Sequence, residues 1–125
     1  MPVLVADDDE NIREIMVDVL EMAGYRVLSA PDGREALALA ARERPSLVLL
    51  DVRMPLVNGW DVAAALARWP DPPPVVMVSA SHDGRATAKR LGLPYLAKPF
   101  EFGELLAMVA RHRASVPGCE PTAAG

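Results

Sequence analysis

Ser46-Leu47-Val48-Leu49-Leu50-Asp51-Val52-Arg53-Met54-Pro55 decides the fold of this 125-residue chain. Ser46–Leu50 is apolar without alternation, as expected of a central parallel strand covered on both faces. It stops at a carboxylate, Asp51. Three other apolar runs stop in the same way: Val3–Ala6 at Asp7 and Asp8, Val75–Val78 at Ser79, and Tyr95–Ala97 at Lys98. Ligands of an open α/β sheet bind outside the carboxyl ends of its strands. Three carboxylates, a hydroxyl and an amine are therefore expected at one rim.

Working outward, helical patterns separate the strands. Ile12, Ile15, Met16, Val19, Leu20 and Ala23 recur at helical spacing and mark one buried face, and Gly24 sits where a C-terminal glycine ends a helix. Tyr25–Ser29 reads as a second strand. Asp32 with Glu35 resembles a capping box and opens a helix running to about Arg44, where Pro45 stops it. A third helix is expected from Asp61 to about Trp69, with Trp60 and Trp69 as packing residues, and a short fourth from Asp83 to about Leu91. Phe102, Leu105, Leu106, Val109 and Ala110 form the apolar stripe of the fifth. Strict strand–helix alternation implies a parallel sheet with right-handed crossovers. For five strands and five helices the expected architecture is a flavodoxin-like, doubly wound sheet in the order 2-1-3-4-5, which sets Asp7 and Asp8 beside Asp51. One domain is expected over residues 1–114, with a disordered Pro/Gly/Ala tail over 115–125.

Composition narrows the function. A hydrophobic fraction of 51% suits a packed domain. A net charge of −4 argues against direct nucleic-acid binding, which needs a basic face. No apolar stretch approaches membrane-spanning length, so no membrane insertion is expected. The single cysteine, Cys119, has no internal partner, and the chain reads as cytoplasmic.

The rim has a charge deficit. Asp7, Asp8 and Asp51 carry three negative charges against one positive on Lys98. Like charges about 4 Å apart repel by roughly 4 kcal/mol at an effective dielectric near 20. Without a counter-ion, at least one carboxylate should have a raised pKa. Oxygen ligands without nearby His or Cys favour Mg²⁺, with Mn²⁺ as the alternative ion. A carboxylate is also a competent nucleophile toward phosphorus, and Asp51 is best placed for it. The Lys98 ammonium, the Ser79 hydroxyl and backbone N–H groups after Asp51 can serve the phosphoryl oxygens.

Asp7-Asp8, Leu-Leu-Asp51-Val-Arg-Met-Pro55, Val-Ser79-Ala80 and Lys98-Pro99-Phe100 together resemble the motif set of bacterial response-regulator receiver domains, over roughly residues 2–113. The resemblance implies a two-component phosphorelay protein in which Asp51 accepts a phosphoryl group from a histidine kinase or histidine phosphotransfer protein. It implies that Asp8, Asp51 and the backbone carbonyl of Arg53 bind Mg²⁺, with Asp7 assisting through water. Ser79 and Lys98 would contact the phosphoryl group. Tyr95 would be the aromatic that swings inward when Ser79 moves toward the phosphate, and Pro99 would follow a cis bond. Such a protein is a phosphoacceptor switch that assists its own phosphorylation and dephosphorylation, not an enzyme in the usual sense. We also expect Arg53 and Ser81, beside the path of a hydrolytic water, to set the phosphoryl lifetime.

Two features depart from the family pattern. Ser79 and Lys98 are 98 − 79 = 19 positions apart, about three residues or nearly one helical turn fewer than the pattern. The loss falls in the fourth helix, part of the family's usual output and dimerisation face. Pro94 also replaces a residue that is usually acidic or small. A monomer or weak dimer is expected, with an output other than that of an ordinary dimerising transcription factor. Met1-Pro2 favours a stand-alone receiver, the alternative being a fragment of a larger hybrid kinase or response regulator. A phosphatase of the haloacid-dehalogenase type would need a second Asp where Arg53 stands. A flavin binder would need a phosphate-cradling loop where Asp7-Asp8-Asp9-Glu10 repels phosphate.

Overall fold

The computed structural model describes residues 2–54, 56–80 and 82–113. The expected tail, Cys119 and Ser81 lie outside them. Five strands, β1 (Val3–Ala6), β2 (Val27–Ala30), β3 (Leu47–Asp51), β4 (Val75–Ser79) and β5 (Tyr95–Ala97), alternate with five helices. These are α1 (Glu10–Met22), α2 (Gly33–Glu43), α3 (Gly59–Ala67), α4 (His82–Leu91) and α5 (Phe102–His112). All pairings are parallel and the order is β2-β1-β3-β4-β5. This is the expected flavodoxin-like architecture.

Strand alternation divides the core into two layers. Val3, Val5, Leu47, Leu49, Val76 and Val78 pack with Met16 and Leu20 of α1 and Leu105 and Val109 of α5. The intervening residues Leu4, Ala6, Val48, Leu50, Val75 and Met77 pack with α2, α3 and Ala88 of α4. Each sheet face is thus buried, which explains why the strands read as continuous apolar runs. Truncating one of these side chains, such as Leu49, to Ala would cost about 2–5 kcal/mol.

Local chemistry moves several boundaries. Gly24, at φ 97°, closes α1: its N–H bonds Glu21 O and that of Tyr25 bonds Leu20 O. This two-bond helix end takes the Tyr25 amide, so β2 starts at Val27 and not at Tyr25. The third helix begins at Gly59, two residues before Asp61, because the Asn58 side chain caps it by accepting from Asp61 N. Asp32 caps α2 through Glu35 N. Two stripes are narrower than expected. Ile15 of α1, the following Ala23, and Phe102 and Ala110 of α5 are exposed, because the two helices bury Met16, Leu20, Leu105 and Val109, with Ile12, Val19, Leu106 and Met108 only half-buried beside them.

Candidate functional site

The sheet register assembles the rim. Ala6 pairs Leu50, so the next residue on each strand, Asp7 and Asp51, emerges side by side. Ser79 pairs Ala97 on the far side of β3, and Lys98 follows at once, its amide donating to Ser79 O at 3.0 Å. The peptide bond from Lys98 to Pro99 is cis.

One carboxylate oxygen from each of Asp7, Asp8 and Asp51 lies within 4.8 Å of the others. Asp7 and Asp51 are buried and Asp8 is exposed. Lys98 Nζ donates to Asp7 Oδ2 at 2.8 Å and to Asp51 Oδ1 at 3.3 Å. The lysine therefore binds Asp7 more closely than the central aspartate. Asp7 is further fixed by Asp9 N, which donates to its Oδ1, and by Arg13 of α1, which donates to its backbone carbonyl at 2.8 Å. Arg13 was not singled out by sequence reasoning; the only signal is its place at the end of the first turn of α1, three residues after the acidic run. Asp9 accepts from Asn11 N and Ile12 N and is the cap of α1.

Burial pushes the Asp51 carboxyl up to about 6, helped by the charge of Asp7 and opposed by Lys98. Lys98 is raised from its ordinary value. Burial works against its ammonium, but the hydrogen bond to Asp7 and the charges of Asp51 and Asp7 outweigh that. One carboxylate thus has a raised pKa, as the charge count requires. An incompletely neutralised set of carboxylate oxygens, with no imidazole or thiolate among its residues, fits a hard divalent cation such as Mg²⁺.

The cluster opens into a cleft of about 470 Å³ lined by Asp7, Asp8, Asp9, Ile12, Asp51, Arg53, Ser79, Ala80 and Lys98. Arg53 and Asp8 also line a second cleft with Val52, Met54, Asn58 and Trp60. Ser79 is buried at the end of β4. Half-buried Tyr95 donates its hydroxyl to Ser79 O at 2.8 Å. Trp60 and Trp69 pack against the core. Asp7, Asp8, Asp51, Arg53, Ser79 and Lys98 thus lie at the carboxyl ends of the strands or in the loops beside them, whereas Tyr95 opens β5 and reaches the rim through its hydroxyl.

This fold, carrying an acidic pocket at the ends of β1 and β3, defines a class. The model of the response regulator receiver domain family matches residues 3–110, and the chain belongs to that family. It is 43% identical over 110 residues to a probable transcriptional regulator ycf27 of Galdieria sulphuraria, covering 86% of this chain and 43% of that protein. It is 43% identical over 123 residues to the response regulator MprA of Mycolicibacterium vanbaalenii, covering 94% of this chain and 53% of that one. The chain therefore spans about half the length of these curated relatives. Among solved structures, the chemotaxis response regulator CheY4 of Vibrio cholerae superposes with a TM-score of 0.80 at 33% identity, over 88% of this chain and 96% of that one. Receiver domains are the phosphoacceptor switches of two-component systems and bind Mg²⁺ through an acidic pocket. Among the described residues, no helix is long and apolar enough to cross a membrane.

Proposed function

We propose that Asp51 accepts a phosphoryl group from the phosphohistidine of a histidine kinase or phosphotransfer protein, in a Mg²⁺-dependent reaction. The observation that carries this reading is the placement of Asp51: buried at the end of the central strand, beside Asp7 and Asp8, and 3.3 Å from Lys98. A carboxylate oxygen of Asp51 forms the new O–P bond as the P–N bond of the donor breaks, and the imidazole leaves neutral, keeping the electron pair of that bond and the proton already on its other ring nitrogen. With a pKa of about 6, Asp51 is ionised at neutral pH and competent as the nucleophile.

Asp8, Asp51 and the Arg53 backbone carbonyl would hold Mg²⁺, with Asp7 assisting through water. When bound, the ion would supply charge neutralisation to the phosphoryl oxygens. Lys98 would turn from Asp7 toward the phosphoryl group, and the Ser79 hydroxyl would donate to it. Tyr95, tied to the Ser79 carbonyl, would transmit the movement of β4 to the surface formed by α4, β5 and α5. The chain then acts as a phosphorylation-controlled switch of protein–protein contacts. Arg53, exposed on the cleft wall, and Ser81 would tune access of the hydrolytic water.

The output is a separate question. A stand-alone receiver over residues 1–114 with a short tail is one reading. A receiver joined to further regulatory sequence is the second, and the greater length of the matched transcriptional regulators supports it.

The test is incubation of the chain with Mg²⁺ and acetyl phosphate, followed by intact-mass measurement of the parent and of Asp51→Asn. A single phosphoryl adduct confined to the parent is expected. An adduct that persists in Asp51→Asn, or none in either protein, would overturn the assignment.

A further inference from the structure

Side-chain alternation sends Asp7 and Asp51 toward one face of the sheet and Ser79 and Tyr95 toward the other, where α4 lies. Two observations there concern the residues of α4 itself. First, Gly84 is buried directly over Tyr95. A Cβ at that position would stand 3.2 Å from both Cε1 and the hydroxyl oxygen of Tyr95, and 3.3 Å from Ser79 Cβ. The missing side chain is the space the ring occupies. Second, the next residue, Arg85, sets its guanidinium carbon 5.1 Å from the centroid of the same ring. Arg85 is exposed and forms no ion pair with the described residues. Its charge is therefore not committed to a carboxylate there, and the aromatic face can attract it.

The far end of the ring is equally constrained. The Tyr95 hydroxyl and the Lys98 amide both donate to the Ser79 carbonyl, at 2.8 Å and 3.0 Å. The ring is thus held at its tip by β4, given room by Gly84 and covered by Arg85.

We propose that Gly84 and Arg85 are positioning residues for Tyr95. Gly84 provides the seat, and Arg85 holds the ring in it before any phosphoryl group arrives. The proposal rests on the reading of Ser79 and Tyr95 as the phosphoryl-responsive pair. It adds that the first turns of α4 preset that pair. Because an inward ring is part of the phosphoryl-bound arrangement on that reading, Arg85 lowers the cost of reaching it. The effect is that of one exposed cation–π contact, about two- to fivefold in affinity for a phosphoryl mimic.

The experiment uses the full chain and two readouts. Tyr25 and Tyr95 are the only tyrosines, so the Tyr95 ring resonances are assigned by NMR with Tyr25→Phe as the reference. Beryllofluoride affinity in Mg²⁺ is measured on the same proteins, with thermal melts to confirm folding. Arg85→Ala is expected to shift the Tyr95 resonances in the unliganded protein and to weaken beryllofluoride binding about two- to fivefold. Arg85→Lys should restore most of both. Gly84→Ala should displace the ring and weaken binding further. In a Tyr95→Ala background, Arg85→Ala should change nothing, which a general structural role would not predict. Unchanged ring resonances in Arg85→Ala, or an equal loss of affinity without Tyr95, would overturn the proposal. If beryllofluoride fails to bind the parent in an Asp51-dependent way, the reading of the site fails instead, and the ring resonances still decide the positioning role.

Discussion

The ammonium of Lys98 lies closer to Asp7 than to Asp51, at 2.8 Å against 3.3 Å. It is therefore the counter-ion of the buried acidic pair. Removing it leaves Asp7 and Asp51 facing each other in a poorly solvated site. Lys98→Ala is expected to raise the Asp51 pKa above its present value of about 6 and to destabilise the metal-free fold by about 3 kcal/mol. Carboxyl NMR titration and urea unfolding in EDTA check both. An unchanged Asp51 titration would show that the lysine contributes little to the charge balance.

The Asp51 shift also sets a pH dependence. Its folded-state pKa is raised from 3.8 to about 6, so between these values the folded state binds more protons than the unfolded state. Stability from this group is complete below pH 3.8 and falls as pH rises to about 6. Above that, the ionised carboxylate costs on the order of 3 kcal/mol. Asp51→Asn is thus expected to be more stable than the parent at pH 7 in EDTA, by about 1–3 kcal/mol, with the gap closing toward pH 4. Unfolding midpoints across that range provide the check. A gap that does not vary with pH would contradict it.

A bound divalent cation should relieve the same cost. At a Mg²⁺ concentration one hundred times its dissociation constant, the parent should gain about 2.7 kcal/mol. Asp8→Ala should lose this response. Asp9→Ala should keep it while losing about 1 kcal/mol of basal stability, because the Asp9 side chain caps α1 and its backbone N–H bond to Asp7 survives the change. Trp60 shares a cleft with Asp8 and Arg53, so its fluorescence should report the binding. Equal Mg²⁺ responses in the two variants would remove Asp8 from the site.

What was legible in the sequence follows from which forces act locally. β4 and β5 match their expected limits because a parallel strand buried on both faces must be apolar throughout, and a polar residue at its end is conspicuous. The residues of the acidic rim were legible for the same reason. The start of α3 was misplaced because Asn58-Gly59 looks like a turn, and only the cap bond to Asp61 N shows that the helix has begun. Ile15 and Phe102 follow helical spacing yet remain exposed, at 47% and 56%, because helix period does not say how wide a stripe the sheet can cover. The hold of Arg13 on the Asp7 carbonyl, the closer contact of Lys98 with Asp7 and the fit of Tyr95 under Gly84 are tertiary. None of them leaves a pattern along the chain.

Backbone conformation supports a last prediction. Leu56 and Arg44 are the two non-glycine residues at positive φ among the described residues, at 71° and 50°. An L side chain in the left-handed region costs roughly 1 kcal/mol. Leu56 is 68% exposed, so little burial offsets that cost. Arg44 ends α2 but also sets its guanidinium 5.3 Å from the Trp69 ring centroid, a contact worth about 0.5–1 kcal/mol. Leu56→Gly is therefore expected to stabilise the fold by about 0.5–1 kcal/mol, whereas Arg44→Gly should be near neutral. Combining Arg44→Gly with Trp69→Leu should cost less than the sum of the two changes, because the same contact is lost only once. Urea unfolding of the four variants measures all of these differences. A destabilising Leu56→Gly would mean that the exposed leucine contributes packing that outweighs its backbone cost.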